Sequence, residues 1–268
     1  MSIDKSAIEH IQKTSTDLRE VENTDHKVIA ITPSLELKSL EQYQEFRNQF
    51  RGKFHTSSMK DYEEYLSEHN GTNCFIDIDS MSSNSIFDLG DKEKPGHAKH
   101  TASLKLKKTA PYSELIRHDQ SPGNQRELAE WIEDWKDYIQ IIDETGADMD
   151  IVPAVAAIRR ITIEAIRKQG NETRTFGESK SSLESIDAKS EDGNMPAWIV
   201  FTCKPYEDLP EHTFHSRISI LTSTDKPKLV TRIIQLEAIQ EEIATEFKEL
   251  LKKDLPKEID IFIGTFAP

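Results

Sequence analysis

The sequence predicts an α+β fold: a mixed, mainly antiparallel sheet or sheets packed with several amphipathic helices. Short runs of alternating apolar and polar residues cluster between residues 73 and 107 and again after residue 198. Amphipathic helical periodicities lie between and after those clusters, and strands do not alternate regularly with helices. At 268 residues the chain is long enough for one large domain or two small ones. We divide it into an N-terminal arm, residues 1–27, and a single α+β domain, residues 28–268. That domain has two lobes, about 28–150 and 151–268, with a flexible loop near 169–195.

The arm is polar, and its weak helical spacing (Ile8, Ile11, Leu18, Val21) predicts one short helix. Lys27-Val28-Ile29-Ala30-Ile31, stopped by Pro33, reads as a strand. Leu40, Tyr43, Phe46 and Phe50 give a roughly helical spacing over 39–50, and Tyr62 and Leu66 mark the inward face of a helix over Met59–Glu68. Asn73–Asp79 alternates Cys74/Ile76/Ile78 against Phe75/Asp77/Asp79; Ser85–Leu89 and Thr101–Lys107 follow as further strands of an antiparallel meander with one wet face. The clearest helical pattern runs from Gln125 to Ile142, with Asn124 as N-cap and Glu127 at the capping-box position. Its apolar stripe is Leu128, Trp131, Ile132, Trp135, Tyr138, Ile139 and Ile142. Ile151–Lys168 reads as another helix, with a strand as the alternative at Ile161-Thr162-Ile163. Trp198–Phe201 and Arg217–Leu221 read as strands, the latter forming a hairpin with Leu229–Ile234 across Thr222–Lys228. A long amphipathic helix carries Leu236, Ile239, Ile243, Phe247 and Leu250, with Lys252 and Lys253 at its C-terminus, and Ile259, Ile261 and Ile263 form a last strand.

The chain carries 48 Asp+Glu against 34 Lys+Arg, a net charge of −14. Residues 1–150 account for −11 of it and residues 151–268 for −3. Such a surface repels a phosphate backbone, and no Lys/Arg block offsets it, so duplex DNA is disfavoured as a partner. No apolar run is long enough to span a membrane, and the polar N-terminus lacks a secretory pattern. Two cysteines, Cys74 and Cys203, are too few for a disulfide framework or a Cys-ligated zinc site; both sit in apolar strand patterns and read as small hydrophobes. The expected location is therefore the cytoplasm.

Among candidate sites, His97 and His100 stand three apart in Gly96-His97-Ala98-Lys99-His100, after Asp77, Asp79 and Asp88. Together with Asp77 or Asp79 they supply the ligand types of a metal-dependent hydrolase or nuclease. The competing reading is a Pro-Gly turn entering a strand whose histidines bond locally. Glu130, Glu133, Asp134 and Asp137 read as the solvated side of their helix. No Gly-x-Ser-x-Gly elbow and no phosphate-cradling glycine loop is present, so no catalytic residue is assigned and no cofactor is expected. Lys105, Lys107 and Lys108 with Tyr112, and Arg159, Arg160 and Arg167, are the candidate basic strips for single strands.

Several blocks resemble a known family: Phe75-Ile76-Asp77; Pro95-Gly96-His97-x-x-His100-x-Ala102-x-Leu104-x-Leu106-x-x-Thr109-x-x-Tyr112; Glu130-Trp131-Ile132-Glu133-Asp134; Pro205-Tyr206-Glu207; Arg217–Leu221; Leu236-Glu237; and Ile263-Gly264-Thr265-Phe266-x-Pro268. Together they are similar to the YfdQ-like proteins of phages and prophages, a domain of unknown function, from about Val28 to the end. The resemblance implies a phage-encoded accessory role in the bacterial cytoplasm and assigns no catalytic residues. The expected function is non-enzymatic: binding a host or phage protein, or assembling as a homo-oligomer. Alternatives are an acidic DNA mimic acting against host defence, the metal-dependent hydrolase or nuclease at His97 and His100, and a single-strand-binding recombination accessory.

Overall fold

The computed structural model describes residues 4–15, 19–21, 28–30, 41–47, 49–69, 72–160, 195–221 and 228–267. The loop expected near 169–195 (apart from Met195), the helix beyond Arg160, Arg167 and most of the turn after Leu221 lie outside them. The chain divides into two compact units, residues 1–50 and 51–268. The first holds helix α1 (Lys5–Ser15) and an antiparallel pair, β1 (Arg19–Val21) with β2 (Val28–Ala30). The helix expected over 39–50 is instead a single 3₁₀ turn, Glu41–Tyr43, followed by bends in which Tyr43 and Phe46 stay exposed. With no face to bury them, Tyr43, Phe46 and Phe50 do not sustain a helix.

The second unit is α+β, with two five-stranded sheets. The mixed sheet has the order β12-β4-β5-β6-β3, from β3 (Gly52–Thr56), β4 (Asn73–Asp77), β5 (Ser82–Ile86), β6 (His100–Lys105) and β12 (Asp260–Ile263). Its centre is the expected antiparallel meander, to which β3 and β12 add as parallel edges. Helix α2 (Met59–Ser67) buries Met59, Tyr62 and Leu66 on the inner side of this sheet, against Cys74, Ile76, Ala102 and Leu104. The second sheet is antiparallel, order β11-β10-β9-β7-β8, from β7 (Ile139–Asp143), β8 (Asp148–Met149), β9 (Pro196–Cys203), β10 (His212–Leu221) and β11 (Lys228–Ile233). Ile139, Ile141, Ile199, Phe201, Phe214, Leu229 and Ile233 form its core face, continuous with the core of the mixed sheet. Helices α3 (Ala110–His118), α4 (Gln125–Asp134), α5 (Ile151–Arg160) and α6 (Leu236–Asp254) complete the layers.

Strands β3 and β8 were not expected, and two helical elements also depart from expectation. The helix read from Gln125 to Ile142 ends at Asp134, passes through a 3₁₀ turn at Lys136–Tyr138 and becomes β7. Ile139 falls four residues after Trp135, so it continues the helical count by coincidence. Residues 139–143 also alternate, with Ile139 and Ile141 buried and Gln140 exposed, and the β-branched isoleucines pair with β9. Helix α3 was not expected at all. Thr109 caps it by accepting from the Tyr112 N–H, Pro111 sits in its first turn, and Arg117 and His118 lie in its last.

Candidate nucleic-acid interface

His100 lies on the inner side of the mixed sheet, and its environment is that of a core histidine. Its Nε2 is 2.8 Å from the Tyr65 hydroxyl, its ring stacks on Phe87 at 4.1 Å, and its backbone N–H donates to the Asp88 carboxylate. Burial, then neighbouring His69, hold its pKa below the ordinary histidine value. His97 is exposed in the loop before β6. Asp77 is at the far end of the sheet: it pairs with Ser82, which pairs with Lys105, five residues along β6 from His100. That is about 17 Å of strand. There the Asp77 carboxylate accepts from the Ser80 hydroxyl and from the backbone N–H groups of Ser80 and Asp79, which close the β4–β5 turn and hold its pKa low. Among the described residues no group of three or more His, Cys, Asp or Glu is placed to hold a metal ion.

The other candidates sort in the same way. Tyr112 is buried and Lys108 sits over its ring at 5.6 Å, so that ring has no free face for a base. Arg159 pairs with Glu133 at 2.7 Å and Arg126 with Glu130 at 2.6 Å, so two acids on the polar side of α4 stand in solvated ion pairs. Cys74 lies in a buried network in which the Tyr62 hydroxyl contacts Ser83 and Ser85 at 3.0 and 2.7 Å; burial pushes the Cys203 thiol up to about 12.

The structure instead assembles a face that the sequence reading missed. Strands β9, β10 and β11 comprise 24 residues (8, 10 and 6) and contain no Asp or Glu, where the chain's 48 acids in 268 residues would place about four. Core-facing residues alternate with an outer set: Trp198, Val200 and Thr202 on β9; Thr213, His215, Arg217 and Ser219 on β10; Lys228, Val230 and Arg232 on β11. Register places Trp198 opposite Arg217, and Arg217 opposite Arg232, in one row. Opposed residues stand about 5 Å apart, so the row spans about 10 Å. Both arginines and Lys228 are exposed, and neither arginine has an acidic partner among the described residues. Val200 and Val230, both buried, flank the row, Trp198 is half-buried, and the Thr202 and Thr213 hydroxyls meet at 3.0 Å nearby. The row continues through Ile142 on β7 to Asp148 on β8, whose carboxylate accepts from the Gln140 side-chain amide. Two like charges directly opposite on an exposed sheet repel. An anion between them would relieve that repulsion. The indole beside them offers a stacking surface.

Compared with known proteins, residues 3–266 match one family model, described as "Uncharacterized conserved protein (DUF2303)". No curated protein and no solved structure matches the chain.

Proposed function

We propose, from the premise that the chain belongs to this DUF2303 family of uncharacterised conserved proteins, that it is a non-enzymatic binding protein. Its ligand is single-stranded nucleic acid, taken on the outer face of the antiparallel sheet. The resemblance to YfdQ-like proteins supports the setting: a phage or prophage accessory in the bacterial cytoplasm that acts by binding and by homo-oligomeric assembly.

The observation that carries this reading is the Trp198–Arg217–Arg232 row. A phosphate seated between the two guanidiniums relieves their repulsion and gains charge-assisted hydrogen bonds. An adjacent unpaired base then reaches the Trp198 ring, whereas the bases of a duplex are already stacked. The net charge of −14 does not veto this. Screening at physiological ionic strength limits each charge to about 8 Å, so the cations of the row set the potential close to them.

Fluorescence anisotropy with a labelled oligothymidine tests the reading. The wild-type chain should bind it in preference to a duplex, and Trp198→Ala should lose about 1–3 kcal/mol, a 5- to 150-fold weakening. No binding at low salt, or a Trp198→Ala variant that binds like wild type, rejects it. The charge of −11 over residues 1–150 favours a second reading, mimicry of nucleic acid toward a host DNA-binding enzyme. In that case the protein competes with DNA for the enzyme and ignores the oligonucleotide.

A further inference from the structure

Four sheet edges in the second unit invite pairing with another strand, and three of them are managed. The edge of β11 is closed by residues 119–123: Gln120 and Gly123 donate backbone N–H groups to the Thr231 and Leu229 carbonyls, and the Asp119 carboxylate accepts from the Ile233 N–H. Strand β8 is two residues long. The β3 edge presents exposed Lys53. Short edges and edge lysines are the ordinary defences against strand addition. Strand β12, Asp-Ile-Phe-Ile, has neither lysine nor proline, and no segment pairs with its outer side among the described residues. It is also apolar: Phe262 and Ile263 are each 49% exposed, and Phe75 stacks on Phe262 at 5.4 Å and on Phe266 at 4.7 Å.

We infer that two copies of this chain pair antiparallel through their β12 edges, about a two-fold axis at Phe262, and join their mixed sheets into one of ten strands. The inference specifies the interface for the oligomeric part of the proposed function. Backbone alternation sets the register. The Asp260 and Gly264 N–H groups donate inward to the Thr72 and Ile76 carbonyls of the same chain, which turns the N–H and C=O of Ile261 and Ile263 outward. In an antiparallel pair those outward residues must oppose one another. Ile261 then exchanges both bonds with Ile263 of the second copy, and Ile263 with its Ile261, making four backbone hydrogen bonds. Phe262 falls opposite itself at the non-hydrogen-bonded position, where side chains are closest, and the two phenylalanine clusters meet across the seam. Asp260 falls opposite Gly264, so no like charges face each other within the pairing. That self-complementarity, in a chain of net charge −14, argues for a second copy over an unrelated strand. The antiparallel contact is isologous and closes as a dimer, whereas β12 against the β3 edge of the next copy would be parallel and open-ended.

Size-exclusion chromatography with light scattering on the full chain gives the first readout: at micromolar concentration the wild-type mass should be twice 30.7 kDa. Ile263→Pro removes only an outward N–H and leaves the bonds to β4 intact, so it should give a folded monomer. That monomer should still bind oligothymidine through the other sheet, which keeps this interface distinguishable from the binding reading. The second readout is Phe262→Cys. Opposed non-hydrogen-bonded residues have Cα atoms about 4.5 Å apart, within disulfide reach. Mild oxidation should therefore link this variant into a covalent dimer, while wild type, whose Cys74 and Cys203 are buried, stays unlinked. A monomeric wild type, an Ile263→Pro variant that remains dimeric, or an oxidised Phe262→Cys variant without a cross-link each overturns the inference.

Discussion

Glu63 on α2 is held in a setting that opposes its own ionisation. Burial first, then the carboxylates of Asp254 and Asp208, raise its pKa from the ordinary carboxylate range to about 7. In the unfolded chain the same group ionises near pH 4.5, so between the two values the folded state holds the proton more tightly. Stability must therefore fall as pH rises from about 4.5 through about 7. Glu63→Gln removes the titration and keeps the shape. Its melting temperature should exceed that of wild type above neutral pH, with the gap closing on acidification; a gap constant with pH contradicts the assignment. His100 and His118 act from the other side. Burial depresses both pKa values, so the stability they hold as neutral rings is present above about 6.5 and is lost as pH falls below it. His118 lies flat on Trp131, with ring centroids 4.2 Å apart and 4° between planes, and there burial and the Arg117 cation outweigh the carboxylates of Glu114 and Asp119.

At the scale of elements, local chemistry decided more than periodicity did. Asn124 accepts from the Glu127 N–H while the Glu127 carboxylate accepts from the Asn124 N–H, and that reciprocal cap was legible because both partners lie in one four-residue window. Asn124→Ala should cost about 0.5–2 kcal/mol in denaturant unfolding, with an unchanged m-value. The end of that helix was not legible, because Ile139 and Ile142 satisfy a helical count and a strand alternation at once; only pairing with β9, more than fifty residues away, selects the strand. The loop between β5 and β6 makes a similar point. Gly96 looked like part of a metal motif, but its N–H donates to the Leu89 carbonyl, and a side chain there would collide with the Asp88 carbonyl. Asp88 in turn receives the Lys99 and His100 N–H groups, so the turn sets the entry of β6. Gly96→Ala should lower the melting temperature by several degrees, consistent with about 1–3 kcal/mol of forced backbone shift. A variant that melts like wild type would show that the loop yields without cost.

At the scale of the whole molecule, charge has to be read by face. The sequence placed the acidity before residue 150 and showed the later half nearly balanced, but it did not show that the balance hides three adjacent strands without an acid. Trp198, Arg217 and Arg232 are far apart in the chain and become one row only through the register of β9, β10 and β11. The basic strip suggested by Lys108 and Tyr112 was contiguous in sequence, and folding buried its aromatic ring. Oligonucleotide binding should therefore depend on few ionic contacts. With Arg217, Arg232 and Lys228 as the cations on the face, a plot of log affinity against log salt should have a slope of about −2, at about −0.7 per contact. Replacing Arg217 and Arg232 together by Gln should reduce that slope by about 1.4 and weaken binding most at low salt. Trp198→Ala should weaken binding and leave the slope unchanged, because stacking releases no counterions. An equal change of slope in both variants would mean that the ligand does not lie along this row.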